Sequence, residues 1–142
     1  MRTWQRFRAL NAANRRLIVE GAAWLVAVRI GLSVLSFPTL RGALSGLSAM
    51  FFRRPNCSRE PAPRLAWAIT SIARHLPFST TCLTQSLAAQ AMFRRRGVDC
   101  ELRFGVRPPR GRPELAAHAW IEHEGAVLLG QIDDLSEYAG LQ

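Results

Sequence analysis

PFSTTCLTQSLAAQAMFRRRG, residues 77–97, is the stretch on which the reading of this chain turns. Pro77 stops whatever helix precedes it, because the residue before a proline is pushed out of the helical region. Ser79, Thr80 and Thr81 each suit an N-cap, where a side-chain oxygen accepts from a free N–H of the first turn. A helix is then expected from Cys82 to Arg96, with Leu83, Leu87, Gln90 or Ala91, and Arg94 marking its turns. Arg94, Arg95 and Arg96 fill the last turn, where cations complement the helix dipole. Gly97 suits the left-handed C′ position. Cys82 therefore opens a well-punctuated helix, where unpaired N–H groups favour a thiolate, the nucleophilic form of the side chain. Taken alone, a single cysteine is more often a small inert core residue.

Downstream the texture changes from helical to alternating. Val98 to Val106 reads as a strand, Arg107 to Pro113 as a loop, and Ala117 to His123 and Ala126 to Ile132 as two further strands. Glu124-Gly125 between the last two predicts a short hairpin turn. Helices first and an antiparallel sheet after them give an α+β class. On the second strand His118 shares a face with Trp120 and Glu122. A strand histidine beside a helix-start cysteine is the arrangement of a Cys–His pair, in which the imidazole accepts and later returns a proton. His75, ending a helix near Pro77, and His123, on the other strand face, are weaker candidates. A third group usually orients such a base. A turn centred on Glu124-Gly125 sets Gln131 opposite His118, so its amide oxygen could hold the ring. Asp133, two residues on, would do so with a charge if a bulge shifted the register.

Upstream, Pro55, Pro61 and Pro63 make the segment Arg53 to Pro63 a linker. It separates residues 1–54, read as a basic, apolar helical region, from residues 55–142, read as the catalytic domain. A helix follows from Pro63 to His75, with Leu65, Ile69, Ile72 and Leu76 on one face. Leu17 to Phe37 is the most apolar run and ends at the break marked by Pro38. Glu20 and a central Arg29 would each cost roughly 2.5–3.5 kcal/mol in a bilayer, so a helix outside the membrane is expected. Arg29, Ser33 and Ser36 form its narrow polar stripe; the rest wants cover on more than one side. That cover is either the domain's own core or a partner.

With 142 residues the chain is one domain, or one domain with a helical extension. Its 49% hydrophobic content supports a core, and its 20% charged content excludes a disordered chain. Every basic residue is arginine. Residues 1–54 hold nine arginines against one acid, whereas residues 55–142 hold ten against nine, so the basic excess sits in the first region. Such a surface suits an acidic or apolar partner. The three cysteines, Cys57, Cys82 and Cys100, form neither a disulfide framework nor a zinc-spaced cluster. No cofactor or metal is implied. The start lacks the apolar core and cleavage site of a secretory signal, so a reducing, cytoplasmic setting is expected.

Several segments together resemble the lasso-peptide leader peptidases, the transglutaminase-like protease components of bacterial lasso-peptide biosynthesis. They are Thr81-Cys82-Leu83 through Gln90, Arg94-Arg95-Arg96-Gly97, Leu102-Arg103-Phe104-Gly105-Val106 and Ala117-His118-Ala119-Trp120-Ile121-Glu122. The likeness extends to the helix near residues 15–40 and to Trp67 through Leu76, and so covers most of the chain. It implies a transglutaminase-like, papain-like fold in which Cys82 and His118 form the catalytic pair. It also implies removal of the leader from a ribosomally made precursor peptide. The partners implied are a separate leader-recognition protein and a macrolactam-forming cyclase. The family usually carries an aspartate about where Gln131 stands, so either Gln131 substitutes, or Asp133 has taken the role, or activity is reduced. Two other activities are compatible with the sequence: an acyltransferase using the same cysteine and histidine, and a non-catalytic basic adaptor for nucleic acid or an acidic protein. No recognised nucleic-acid motif supports the adaptor, and binding to nucleic acid is not expected.

Overall fold

The computed structural model describes residues 2–50, 61–108, 111 and 116–141. Five helices come first: α1 (Arg2–Ala9), α2 (Ala12–Val34), α3 (Phe37–Met50), α4 (Ala62–Ala73) and α5 (Cys82–Arg95). Four strands follow: β1 (Glu101–Arg107), β2 (Ala116–His123), β3 (Ala126–Leu129) and β4 (Ala139–Leu141), with a 3-10 turn at Leu135–Glu137 before the last. The expected α+β order holds. The proposed linker falls largely on residues 51–60, which lie outside the described residues, as does Cys57.

α5 is punctuated as its sequence requires. Thr81 is the N-cap, its hydroxyl accepting from the Thr84 N–H at 3.2 Å. Gln85 reaches back to donate to the Thr80 hydroxyl at 3.1 Å and fixes the approach to the cap. At the far end Gly97 takes φ +69°, the Val98 N–H bonds the Phe93 carbonyl and the Gly97 N–H bonds the Arg94 carbonyl. These two bonds are the Schellman pattern, which satisfies carbonyls the helix would otherwise orphan.

Pro38 does not end the helical region. It lies in the first turn of α3, where the missing N–H was unpaired in any case. The break that the proline predicts shrinks to a junction at Leu35-Ser36, where Ser36 and Thr39 hydroxyls meet at 2.7 Å.

α5 is the central helix. Leu87, Ala88, Ala89, Met92 and Phe93 are all fully buried or nearly so, on every side of the helix. Leu25 and Val28 of α2, Leu40 and Leu44 of α3, and Leu65 and Ile69 of α4 close around it, and Ile121 and Leu129 of the sheet join the same core. Each large side chain so buried contributes roughly 1.5–3 kcal/mol. α2 and α3 thus share one hydrophobic core with α4, α5 and the sheet. Glu20 of α2 fastens the two regions, pairing with Arg95 at 2.5 Å and with Arg96 at the end of α5. By length and composition α2 could cross a membrane. In the structure Leu17, Ile18, Gly21, Leu25, Val28 and Gly31 are its buried face.

The sheet order is β3-β2-β1-β4, all neighbours antiparallel. Glu124 and Gly125 both take positive φ, +50° and +79°, the two-residue turn whose twist matches a hairpin. Glu122 pairs with Val127 and His123 with Ala126, as a turn centred there demands. The next pair is Ile121 with Leu129, so Leu128 is the extra residue of a bulge and the register slips by one. β3 stops at Leu129 instead of Ile132, because Gly130 turns the chain at φ +90°.

Candidate active site

Cys82 is the first residue of α5, half-buried and free. Its placement follows from the Thr81 cap. That cap engages the Thr84 N–H and leaves the Cys82 N–H at the mouth of the first turn. One turn along, the buried Ser86 hydroxyl donates to the Ala119 carbonyl of β2 at 3.2 Å. This bond ties the cysteine-bearing helix to the strand residue next to His118. No hydrogen bond joins Cys82 itself to His118 among the described residues. Such contacts are often loose in a substrate-free enzyme and tighten on binding.

His118 lies on β2 opposite Gly105 of β1. Ala119 and Ile121 are buried and Ile121 belongs to the helix-covered core, so the alternation of the strand places His118, Trp120 and Glu122 on the other face. The imidazole stacks on Trp120, centroids 6.1 Å apart and planes 16° from parallel. The Trp120 indole N–H donates to Glu122 at 2.8 Å. The common face of His118, Trp120 and Glu122 is thus a connected row.

The imidazole is oriented by the backbone. His118 Nε2 lies 2.7 Å from the Gly130 carbonyl oxygen. A carbonyl can only accept, so Nε2 carries the proton and Nδ1 of the neutral ring keeps its lone pair. Gly130 is built for this approach: a β-carbon there would come within 2.8 Å of Trp120 Cβ and 2.9 Å of the Ala119 carbonyl. Gln131 and Asp133, the two residues expected to orient His118, make no hydrogen bond to it. Both are exposed, and the Gln131 amide donates to the Ile132 carbonyl at 3.3 Å. The bulge at Leu128 and the turn at Gly130 are the reason. They take residues 130–133 out of the ladder before the position that would face His118.

The segment after Gly130 folds back over the same sheet face. Tyr138 brings its ring to 5.7 Å from the imidazole. Sequence reasoning missed Gly130 and Tyr138. A glycine three residues before Asp133 was the available signal for a chain reversal, whereas Tyr138 follows a 3-10 turn that no periodicity announces.

Cys100 behaves differently from Cys82. Burial pushes its thiol up to about 11, with Arg94 opposing and Asp99 adding to the shift. It stays a protonated core group at neutral pH. Among the described residues no group of three or more His, Cys, Asp or Glu side chains could hold a metal ion.

Comparisons with curated proteins and with solved structures return no match. The family model described as "Transglutaminase-like superfamily" matches residues 22–142, which include Cys82, His118 and both elements that carry them. Proteins of this kind are generally cysteine-dependent enzymes. A match over that much of the chain, with a helix that opens on a cysteine packed on a histidine-bearing strand, places this protein in the transglutaminase-like superfamily.

Proposed function

We propose that this protein is a cysteine peptidase that removes the leader from a ribosomally made precursor during lasso-peptide maturation. The observation that carries the chemistry is the hydrogen bond of the His118 ring to the Gly130 carbonyl, which uses Nε2 and leaves Nδ1 as the base. The segments around Cys82, Arg94 and His118 that resemble the leader peptidases support the substrate class. In this reading Nδ1 takes the Cys82 proton as the sulfur attacks the scissile carbonyl. The C–N bond then breaks, His118 returns the proton to the leaving amine, and water hydrolyses the thioester. The Cys82 N–H at the start of α5 is placed to donate to the oxyanion. The Gly130 carbonyl takes the place of the usual orienting side chain.

The reading extends to partners and place. The enzyme works in a reducing, cytoplasmic setting on a precursor delivered by a separate leader-recognition protein, before a cyclase closes the macrolactam. The leader-recognition protein docks on α2, where Val19, Ile30 and Val34 lie on one outer face and are 58–71% exposed. Arg15, Arg16 and Arg29 are exposed on the same helix, so the fitting partner surface is apolar with an acidic rim.

The test is incubation of the protein with a precursor peptide encoded beside its gene and with the leader-recognition protein, read by mass spectrometry. Cleavage to a free carboxylate that is lost in Cys82→Ala is the expected result. A new amide in place of the carboxylate would make the enzyme an acyltransferase. Full cleavage by Cys82→Ala would overturn the mechanism.

A further inference from the structure

One hydrogen bond fixes which nitrogen of His118 carries the proton, but it leaves the ring free to swing about the Nε2···O axis. The structure closes that freedom on two sides. Trp120 stacks nearly parallel at 6.1 Å, and Tyr138 lies against the imidazole at 5.7 Å and 53°. Trp120 is fixed by its own strand, whereas Tyr138 sits on a short irregular segment and needs an anchor. Arg107 supplies it. Its guanidinium pairs with Asp134 and, at 3.3 Å, with Glu137, the residues that bracket the 3-10 turn. The same guanidinium lies 5.2 Å over the Tyr138 ring. On the other side Tyr138 rests on Gly105, directly opposite His118 in the ladder; a β-carbon at Gly105 would come within 2.8 Å of Tyr138 Cβ.

We infer that Tyr138, clamped by Arg107, is a positioning residue for the His118 imidazole. It acts through the ring of His118, and the catalytic consequence rests on the peptidase reading above. Its aromatic face is what matters, and its hydroxyl is dispensable.

The test is made on the full chain labelled with ¹⁵N-histidine. Two-dimensional spectra of the imidazole nitrogens separate the tautomers, and His118→Gln assigns the signal among the three histidines. The wild type should show Nε2 protonated and Nδ1 bare. Tyr138→Phe should keep that signature. Tyr138→Leu and Arg107→Met should average it toward a tautomer mixture and lower kcat for the precursor peptide about 10–100-fold with KM little changed, as a misplaced base does. Arg107→Lys, which keeps the charge, should restore part of the loss. An unchanged imidazole signature in folded Tyr138→Leu and Arg107→Met would overturn the proposal, and so would a KM effect with intact kcat. Should Tyr138→Leu fail to fold, Arg107→Met decides alone, because the Arg107 side chain is partly exposed and lies outside the helical core. The spectra need no substrate. A protein that cuts no precursor but whose imidazole responds as stated keeps the positioning role and loses the peptidase reading.

Discussion

The bond from Ser86 to the Ala119 carbonyl can be taken as a single perturbation with two separate readouts. Ser86 is fully buried, and its hydroxyl is the hydrogen-bond link between α5 and β2 at the level of the site. Ser86→Ala removes the donor and leaves a buried carbonyl without it. The lost bond and the unsatisfied acceptor together cost about 2 kcal/mol. Unfolding entropy of about 2.1 cal/mol/K per residue gives roughly 300 cal/mol/K for 142 residues, so Tm should fall by about 7 °C. The second readout is catalysis. Cys82 is one turn before Ser86 and His118 one residue before Ala119, so on the peptidase reading the bond holds in register the two elements that carry the pair. A displacement of the helix start by about 1 Å should lower kcat/KM by up to 100-fold at temperatures where the variant is fully folded. Calorimetry and precursor cleavage at 20 °C measure the two effects. A variant that melts 7 °C lower yet cleaves at the wild-type rate would refute the claim that this bond positions the site. One that melts like the wild type would refute the energetic argument.

Three further predictions follow from the same geometry. Gln131→Ala and Asp133→Ala should each change turnover less than about tenfold, because neither side chain touches His118. Gly130→Ala should lower it far more, since the added carbon collides with Trp120 and the Ala119 carbonyl; steady-state kinetics of the three variants ranks them. The Cys100 thiol is raised from 9.0 to about 11 in the folded protein, so the folded state holds the proton more tightly than the unfolded chain. Its contribution is complete below pH 9 and is lost as pH rises to 11, by about 3 kcal/mol in all. Urea titrations should therefore show the stability gap between wild type and Cys100→Ala narrowing over that window; a constant gap would contradict the assignment. Charge reversal at Arg15, Arg16 and Arg29 should leave Tm nearly unchanged but weaken binding of the leader-recognition protein and slow leader-dependent cleavage. Calorimetric titration that finds unaltered binding by the folded variant would reject docking through these residues.

The sequence makes the local signals of the fold legible and leaves its long-range ones obscure. The Gly97 stop and the Glu124-Gly125 turn are each set by a few adjacent residues and stand where the sequence reading puts them, and the cap is Thr81, one of the three candidates the sequence offers. The exposed Gln131 and the short β3 show the other side. Counting outward from a turn works only while the ladder is regular, and nothing in Ala126-Val127-Leu128-Leu129 marks Leu128 as the extra residue. α3 was hidden because a proline that ends one helix can equally begin the next. β4 and the Arg107 clamp depend on residues about 30 positions apart meeting across the sheet, which no periodicity encodes.

The bulge at Leu128 acts as a phase switch between two ways of holding the same imidazole. With the ladder in its unshifted phase, the strand after the hairpin would present a side chain to His118, and the orienting group would be whatever residue type stood there. Shifted by one residue, it presents the main chain, and the orienting group becomes a carbonyl that every sequence possesses. The identity of a third side chain then no longer decides the orientation, and the requirement passes to the backbone path, above all to the glycine that allows it. Exchanging one solution for the other, with no change at Cys82 or His118, takes both a one-residue deletion in β3 and the loss of the turn at Gly130.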